Sequence, residues 1–480
     1  MNASRRTLYG VLSLSLICFG APSLTAQGQS DSSSAAAATD VSKKVDELQK
    51  ELESLQAQIA DLKKQQAAVT AAPAASSSAA APTTAATATA TPEAAAGAAP
   101  AVAPATAAAP GAPTLASLLG PLSITGFVDG NYGYNFEHPH LNAPSVLAGN
   151  PNTGLSGLRA FDSPSSQLGL NAVELILDKA PDAANSRIGY HIALGAGNAI
   201  NVVGSTEPGG LGYLQYVKEA YGSYLAPLGK GLQIDFGKFV TQHGAEVIES
   251  KDNWNYSRSL LFTYAIPFYH FGLRAKYVFN DKYNFTAYLV NGWNNIVDNN
   301  TGKTVGLQFG WNPNKKFTFT QNYMVGPEEA NNNKNIRQLW DTEATYSPTS
   351  KLSLMANVDY GRGDRFFTYA NPVWWAGVAG YVRYQINDNY ALATRYEYYD
   401  DPYGYTTWLT ASNNFPNPVP QHINEFTETF EHKIHGNFIT RFEYRRDMAS
   451  RATLYKGTTP VDYQDTLAMG LIYTFDLKEH

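Results

Sequence analysis

The chain has 480 residues, a formal net charge of −6 and a composition that is 44% hydrophobic and 12% aromatic. This acidic balance disfavours a nucleic-acid partner, because phosphate-binding domains carry clustered basic residues. The composition divides the chain into an alanine-rich front part and an aromatic-rich remainder, so only the remainder is expected to build a large structure.

Residues 1–26 have the organisation of a secretory signal peptide. Two arginines precede an apolar run over residues 8–19, and small residues lead to a cleavage point after Ala26. A membrane-anchoring helix is the alternative, but it needs about 20 apolar residues, and this run is shorter. Cys18, the only cysteine, follows an isoleucine where a lipoprotein signal would have a small residue, so neither lipid attachment nor a disulfide is expected.

Residues 41–69 carry the apolar spacing of a coiled-coil helix. Its apolar positions follow one another at alternating steps of four and three residues: Val41, Val45, Leu48, Leu52, Leu55, Ile59 and Leu62. A single helix of this polarity is marginal in water, so the chain is predicted to form a homo-oligomer through Val41 to Leu62. The alternative is one amphipathic helix that lies against the rest of its own chain.

Residues 70–113 consist almost entirely of Ala, Pro, Thr and Ser. Such a segment has too few large apolar groups to offset its ordering entropy, so we predict an extended, flexible linker.

From Leu122 onward, apolar and polar residues alternate with a period of two, which is typical of strands. For example, Phe271, Leu273, Ala275 and Tyr277 alternate with small or charged residues. Residues 121–476 are therefore predicted to be all-β, a transmembrane antiparallel β-barrel of about 16 strands, each about ten residues long. The coiled coil and the disordered linker precede it.

The connections alternate between short and long. Short turns are predicted at 280–282, 312–315, 347–350 and 386–389, and long segments at 292–302, 361–374, 400–422 and 447–465. Outer-membrane barrels have this asymmetry, with short periplasmic turns and long outer loops. A soluble sandwich or propeller is the alternative, but aromatic girdles account better for the 30 Tyr, 22 Phe and 7 Trp residues.

Several short motifs occur in a fixed order. They are Gly237-Lys238-Phe239, His243-Gly244-Ala245-Glu246, Asn255-Tyr256-Ser257-Arg258-Ser259, Pro267, Gly272-Leu273-Arg274 and Asn291-Gly292-Trp293. Together they resemble the second β-barrel porin family, the OmpL-like group, over residues 122–475. The resemblance implies an outer-membrane porin fold. The partners expected for the chain are outer-membrane lipid and small hydrophilic solutes. For the coiled coil, a trimer would suit a porin.

A barrel of about 16 strands encloses an aqueous passage, whereas about eight strands are filled by side chains. The residues predicted to face this lumen are Arg274, Lys276, Asp341, Glu343, Asp359, Arg383, Arg395, Glu397, Arg441, Glu443 and Arg445. An arginine or lysine that faced lipid near the midplane would cost about 2–4 kcal/mol, so these side chains are expected to point into water. The alternative to a selective role is that they merely solvate the wall.

The segment 241–269 is predicted to fold inward and narrow the pore. Its candidate constriction residues are His243, Glu246, Glu249, Asp252 and Arg258. We hypothesise that the loop acids face an arginine ladder across the narrowest point and create a transverse field. The ladder is formed by Arg383, Arg395, Arg441 and Arg445. An ordinary surface loop is the alternative.

One strand does not fit the alternation. Phe426 and Phe430 should face lipid, but the same phase places Glu428 beside them. Either a bulge shifts the register or the strand boundaries differ from those assumed.

No catalytic or metal-binding pattern stands out. Serines lack a G-x-S-x-G context, and His432 and His435 are three residues apart without a helix, so neither an enzyme nor a metal or cofactor site is predicted. The predicted function is passive diffusion of small hydrophilic solutes through an outer-membrane porin. The alternatives are a structural anchor whose periplasmic coiled coil contacts the cell wall, and a channel specific for sugars or anions.

Overall fold

The computed structural model describes residues 122–139, 156–207, 210, 212–363, 372–407 and 419–478. The predicted signal peptide, coiled coil and linker lie outside these ranges. Within them, the chain forms mainly β-strands, one α-helix, α1 (Asn198–Gly204), two 3-10 turns (Gly212–Tyr216 and Ser250–Asp252) and a π-helical turn (Leu261–Ala265). No helix in the described ranges is long and apolar enough to cross a membrane.

The strands are β1 (Ser123–Asn135), β2 (Gln167–Lys179), β3 (Ile188–Ala196), β4 (Val217–Ala226), β5 (Leu232–Val240), β6 (Tyr269–Val278), β7 (Tyr283–Val290), β8 (Thr304–Asn314), β9 (Phe317–Glu329), β10 (Asn332–Tyr346), β11 (Leu352–Gly363), β12 (Val373–Gln385), β13 (Tyr390–Asp401), β14 (Gln421–Ile434), β15 (Phe438–Ala449), β16 (Leu454–Lys456), β17 (Thr459–Val461) and β18 (Tyr463–Lys478).

Strands β1 to β15 and β18 close into one antiparallel barrel, which confirms the predicted fold class and strand number. Each strand pairs with its neighbours in sequence, except where β16 and β17 form a separate hairpin between β15 and β18. The first and last strands close the ring, with Phe127 opposite Thr474. Strand β18 continues to Lys478, beyond the predicted end of the barrel at residue 476.

The two faces of the barrel differ because successive side chains of a strand point to opposite sides. On β8, Val305, Leu307, Phe309 and Trp311 are exposed on the outer face, whereas Gly306 between them is buried on the inner face. An outer surface of this kind meets lipid without leaving polar groups unsatisfied, since every backbone group of a closed barrel has a partner.

The short connections lie together at one end of the barrel. The turns predicted at 280–282, 347–350 and 386–389 fall between consecutive strands. The turn predicted at 312–315 is shorter than expected because β8 continues to Asn314 through an irregular pairing after Trp311.

Strand β14 pairs regularly, so no bulge explains its pattern, although the strand begins at Gln421, inside the segment predicted as a loop at 400–422. Thr394 of β13 and Tyr444 of β15 pair with Glu428 on either side, in ladders without a register shift. Glu428 therefore lies on the outer face beside Phe426 and Phe430.

Gly237 on β5 shows why its motif needs glycine. Its φ angle is 141°, in the region that L-residues rarely adopt. A Cβ atom at this position would lie 2.2 Å from the carbonyl oxygen of Ala220 on β4. Tyr221 pairs with Gly237 across the two strands, and the guanidinium group of Arg274 lies over the Tyr221 ring, 5.2 Å from its centroid.

We expect Gly237→Ala to lower the free energy of unfolding by about 2 kcal/mol, since it adds backbone strain and a clash with backbone atoms. Urea unfolding in detergent micelles measures this change. Gly222→Ala on β4 is the matched control, because a Cβ at Gly222 meets nothing within 4 Å. Equal stability of the two variants would contradict the explanation.

Candidate functional site

Residues 241–268 connect β5 to β6 and form a segment that we call the inward loop. Its Gly244 N–H donates to Asp341 Oδ2 on β10 at 2.8 Å. Tyr256 donates from its backbone to Glu443 Oε2 on β15 at 2.6 Å and from its hydroxyl to Asp129 Oδ1 on β1 at 2.9 Å. Because β10 lies nearly opposite β1 in the ring, the inward loop crosses the lumen.

The second half of the inward loop supplies an apolar core inside the barrel. Leu260 and Phe262 are buried, and the ring of Phe262 lies 5.6 Å from that of Phe161. Trp375 on β12 donates from Nε1 to the carbonyl oxygen of Ala265 at 3.1 Å. Full burial of a large apolar side chain stabilises by roughly 1.5–3 kcal/mol, so this half favours the inward position of the loop.

Three arginines of the barrel wall bind carbonyl oxygens of the inward loop. Arg395 donates to Ser257 O at 2.8 Å, Arg441 to Asn253 O at 2.7 Å and Arg445 to Arg258 O at 2.7 Å. The fourth arginine of the predicted ladder, Arg383, instead bonds Glu431 at 2.7 Å. Charged donors form the stronger hydrogen bonds, so these contacts hold the loop backbone firmly.

Carboxylates of the wall bind N–H groups of the same segment. Glu443 accepts from Tyr256 and Ser257, at 2.6 and 3.0 Å, and Glu397 accepts from Leu260 at 2.8 Å. The wall therefore offers both donors and acceptors to the loop backbone.

The three acids of the inward loop have different partners. Glu246 lies against the arginines and bonds Arg395 at 2.8 Å. Glu249 pairs with Lys218 of β4, and Asp252 pairs with Lys251 at 2.5 Å while its side chain stays 54% exposed. One of the three acids thus faces the arginine ladder.

The two other candidate residues of the loop are buried within it. Arg258 donates to Tyr256 O at 2.8 Å and lies 5.0 Å from the ring of Phe161. His243 Nε2 lies 2.6 Å from the hydroxyl oxygen of Tyr288, and its Nδ1 lies 3.7 Å from Asp341 Oδ2. Both side chains therefore hold the loop in place.

A family model described as "Putative beta-barrel porin-2, OmpL-like" matches residues 121–475. The chain belongs to this porin family. It is thus an outer-membrane protein.

Solved structures with a similar fold include three outer-membrane proteins. They are an anion-selective porin from Comamonas acidovorans (10% identity, 74% of this chain and 99% of that chain, TM-score 0.47), OmpT of Vibrio cholerae (12%, 74% and 97%, 0.46) and the channel DcaP of Acinetobacter baumannii (12%, 74% and 97%, 0.46). A sequence search of curated proteins finds no match.

All eleven residues predicted to face the lumen of this porin occupy inward positions in the strand ladders. Seven are buried, namely Asp341, Asp359, Arg395, Glu397, Arg441, Glu443 and Arg445. The other four, Arg274, Lys276, Glu343 and Arg383, keep access to solvent. The buried charges surround the inward loop, so their environment differs from that of an open pore wall.

Sequence reasoning missed two acids that complete these contacts. Glu425 and Glu431 on β14 bind Arg395 at 2.9 Å and Arg441 at 2.7 Å. Their alternation with the outward-facing Phe426 and Phe430 is the sequence signal that places them on the inner face.

Asp341 is bound by two asparagines that the sequence did not single out. Asn322 on β9 donates to it at 2.8 Å and Asn357 on β11 at 2.7 Å. Among the described residues, no group of His, Cys, Asp or Glu side chains is arranged to hold a metal ion. The asparagines instead fix the carboxylate that receives the loop N–H.

Burial shifts the pKa of two side chains in the inward loop. Loss of solvent lowers the pKa of His243 to about 4, although the nearby Asp341 opposes this shift. Burial, together with the adjacent Asp129 carboxyl, raises the pKa of the Tyr256 hydroxyl well above its usual value. Both side chains are therefore neutral at pH 7.

We expect acidification to lower the free energy of unfolding through His243, whose neutral side chain holds the inward loop. The unfolded chain takes up this proton near pH 6.5, whereas the folded chain holds it only near pH 4. The stabilisation that neutral His243 provides is complete above pH 6.5 and is lost as the pH falls toward 4. By pH 5 the loss amounts to about 2 kcal/mol. Urea unfolding of the wild type and His243→Gln at pH 7 and pH 5 measures it. The same pH dependence in both proteins would rule out this role.

Proposed function

We propose that this porin is a passive channel for small hydrophilic solutes and that the inward loop sets its narrowest part. The contacts of the loop with β1, β10, β13 and β15, on both sides of the lumen, carry this proposal. A segment that crosses the lumen reduces the free cross-section at its own level and leaves the vestibules on either side wider.

The path beside the loop is proposed to follow the wall formed by β2 to β6. Accessible ionisable side chains lie there: the side chain of Asp178 is 43% exposed, that of His191 16% and that of Arg274 14%, and Lys276 is exposed. His191 also stacks on Tyr221, with ring centroids 5.1 Å apart. These groups present polar edges to a passing solute.

Lys218 joins the inward loop to this wall. Its ammonium group bonds Glu174 on β2 at 2.7 Å and also pairs with Glu249 of the loop. The ammonium group is nearly buried, so this ion pair is little screened by solvent. We propose that it limits the width of the gap between loop and wall.

We expect Glu249→Gln to raise the single-channel conductance, because it weakens the tie between the loop and β4 while Lys218 keeps Glu174 as its partner. Recordings in planar bilayers measure the change. Asp252→Asn is the matched control. It also removes an acid from the loop, but the Asp252 side chain is 54% exposed and pairs with Lys251 of the same loop, not with the wall. If both variants had the conductance of the wild type, the proposal that this ion pair limits the width of the gap would be refuted.

The ion preference is proposed to depend on the accessible charges more than on the buried ladder. Arg445 bonds Asp447 at 2.7 Å and Arg441 bonds Glu431 at 2.7 Å, so their fields are largely offset locally. Lys276 on β6 has no such burial, and a charge near the path acts on ions at short range.

We therefore expect Lys276→Glu to shift the reversal potential in a salt gradient toward cation selectivity. Lys282→Glu is the control: it makes the same charge change in the exposed turn between β6 and β7. An equal shift in both variants would show that the charge acts from outside the lumen. No shift for Lys276→Glu would contradict the path along β6.

A further inference from the structure

The turns at one end of the barrel carry a row of exposed lysines. These lysines lie in the connections that follow β4, β6, β8 and β10, which together contain five lysines and a single acidic residue, Asp281. The connections that follow β12 and β14 at the same end contain no lysine. We call the five exposed residues the lysine arc: Lys230, Lys282, Lys315, Lys316 and Lys351.

Three of these lysines occupy the same place in turns of one kind. In each turn, an Asn or Thr side-chain oxygen accepts from the backbone N–H of the lysine two residues later. The pairs are Lys282 with Asn280 at 2.9 Å, Lys316 with Asn314 at 2.8 Å and Lys351 with Thr349 at 3.2 Å. The turn after β12 has the same bond, from Asn389 N–H to Asn387 Oδ1 at 3.0 Å, without a lysine. The turn geometry therefore does not explain why lysine stands at the other three positions.

The lysine arc forms no salt bridge within the described chain. Salt bridges there involve four other lysines, Lys218, Lys251, Lys303 and Lys433. In the arc, Lys316 Nζ donates to Pro348 O at 3.0 Å, and Lys351 Nζ donates to Ile386 O at 3.3 Å. These neutral acceptors direct each ammonium group along the rim toward the next turn. An ammonium group has three hydrogens, so each keeps donors for an anion.

Aromatic side chains place the lysine arc at the level of lipid headgroups. Tyr283 follows Lys282 directly and pairs with Trp311 on β8, and both rings are exposed on the outer face. Tyr346, at the end of β10, is likewise exposed beside the turn that holds Lys351. Tyr and Trp concentrate where hydrocarbon meets headgroups, so the adjoining lysines lie among the headgroups.

We propose that the lysine arc binds the headgroups of anionic phospholipids in the leaflet at this end of the barrel. Ammonium groups without a counter-charge attract anionic headgroups, and each basic residue near the membrane surface adds to the attraction. Two strands separate each connection from the next, so Lys282, Lys316 and Lys351 extend over roughly 20 Å of the rim.

The position of the arc favours lipid over a soluble anionic polymer as the partner. Headgroups meet the outer rim wherever aromatic side chains mark the membrane boundary, whereas a polymer has no reason to select that height. The proposal does not depend on conduction, so it can fail while the channel function stands.

Lipid capture by the full chain in vesicles tests the proposal. The vesicles contain equal parts of phosphatidylglycerol and phosphatidylcholine, and a benzophenone amino acid replaces Tyr346. Mass spectrometry of the adducts gives the ratio of the two lipids captured. We expect the native lysines to raise this ratio about fivefold above that of the bulk vesicle. The triple variant Lys282→Gln, Lys316→Gln and Lys351→Gln is expected to return it close to the bulk ratio.

The matched control removes three exposed lysines from the other end of the barrel, through Lys303→Gln, Lys334→Gln and Lys456→Gln. It makes the same change in net charge and is expected to keep the wild-type ratio. An equal loss in the two triple variants would overturn the proposal. So would a wild-type ratio equal to that of the bulk vesicle, which is the result expected if the arc binds only a soluble polymer.

A gain of lysine provides a second test that does not remove any native side chain of the arc. Asn389→Lys places a lysine in the equivalent turn after β12, and the benzophenone probe replaces Leu392, which is exposed on β13 nearby. We expect this variant to raise the captured ratio of phosphatidylglycerol to phosphatidylcholine at that position. An unchanged ratio would show that a lysine in this turn does not select anionic headgroups, and the proposal would be wrong.

Discussion

The inward loop can lie in the lumen only if its backbone N–H and C=O groups find partners there. A peptide segment enclosed by a barrel cannot leave these groups unpaired without a large loss of stability. Glu397 and Glu443 accept from its N–H groups, and Arg441 and Arg445 donate to its carbonyl oxygens. Charged side chains of the wall thus bind the neutral loop backbone. The opposite charges beside these side chains offset part of the free-energy cost of removing them from water.

This use of charge divides the inner wall into a buried part and an accessible part. On β10 to β15, six charged side chains that bind the loop are buried, namely Asp341, Arg395, Glu397, Arg441, Glu443 and Arg445. Glu343 and Arg383 on the same wall keep access to solvent. On β2 to β6, Asp178 and Lys276 remain accessible to solvent. A passing ion responds chiefly to charges that are near it and are not offset, so the number of charges on the inner wall is a poor guide to selectivity. Accessibility decides which of them act.

Much of the barrel could be predicted because lipid imposes a strict alternation on each strand. That alternation gave the correct number of strands. The eleven residues predicted to face the lumen lie at inward positions of the ladders, but the expectation that they point into water is wrong for the seven that are buried. The contacts of the loop could not be predicted in the same way, since an irregular segment has no period that fixes its path. Glu246 and Glu249 are three residues apart in sequence, yet one meets Arg395 and the other meets Lys218. Only the folded path separates them.

Polar groups on the outer wall also need hydrogen-bond partners, and Glu428 is the position where this requirement is hardest to meet. Inside the barrel, the chain supplies its own partners by folding a loop across the lumen. Outside it, strand geometry allows contacts only with adjacent strands, and Thr394 is the partner that the described chain supplies. A leucine at position 428 would avoid the cost of an ionisable side chain in hydrocarbon. Strand β14 nevertheless carries Glu428 on this face without a bulge in its pairings with β13 and β15.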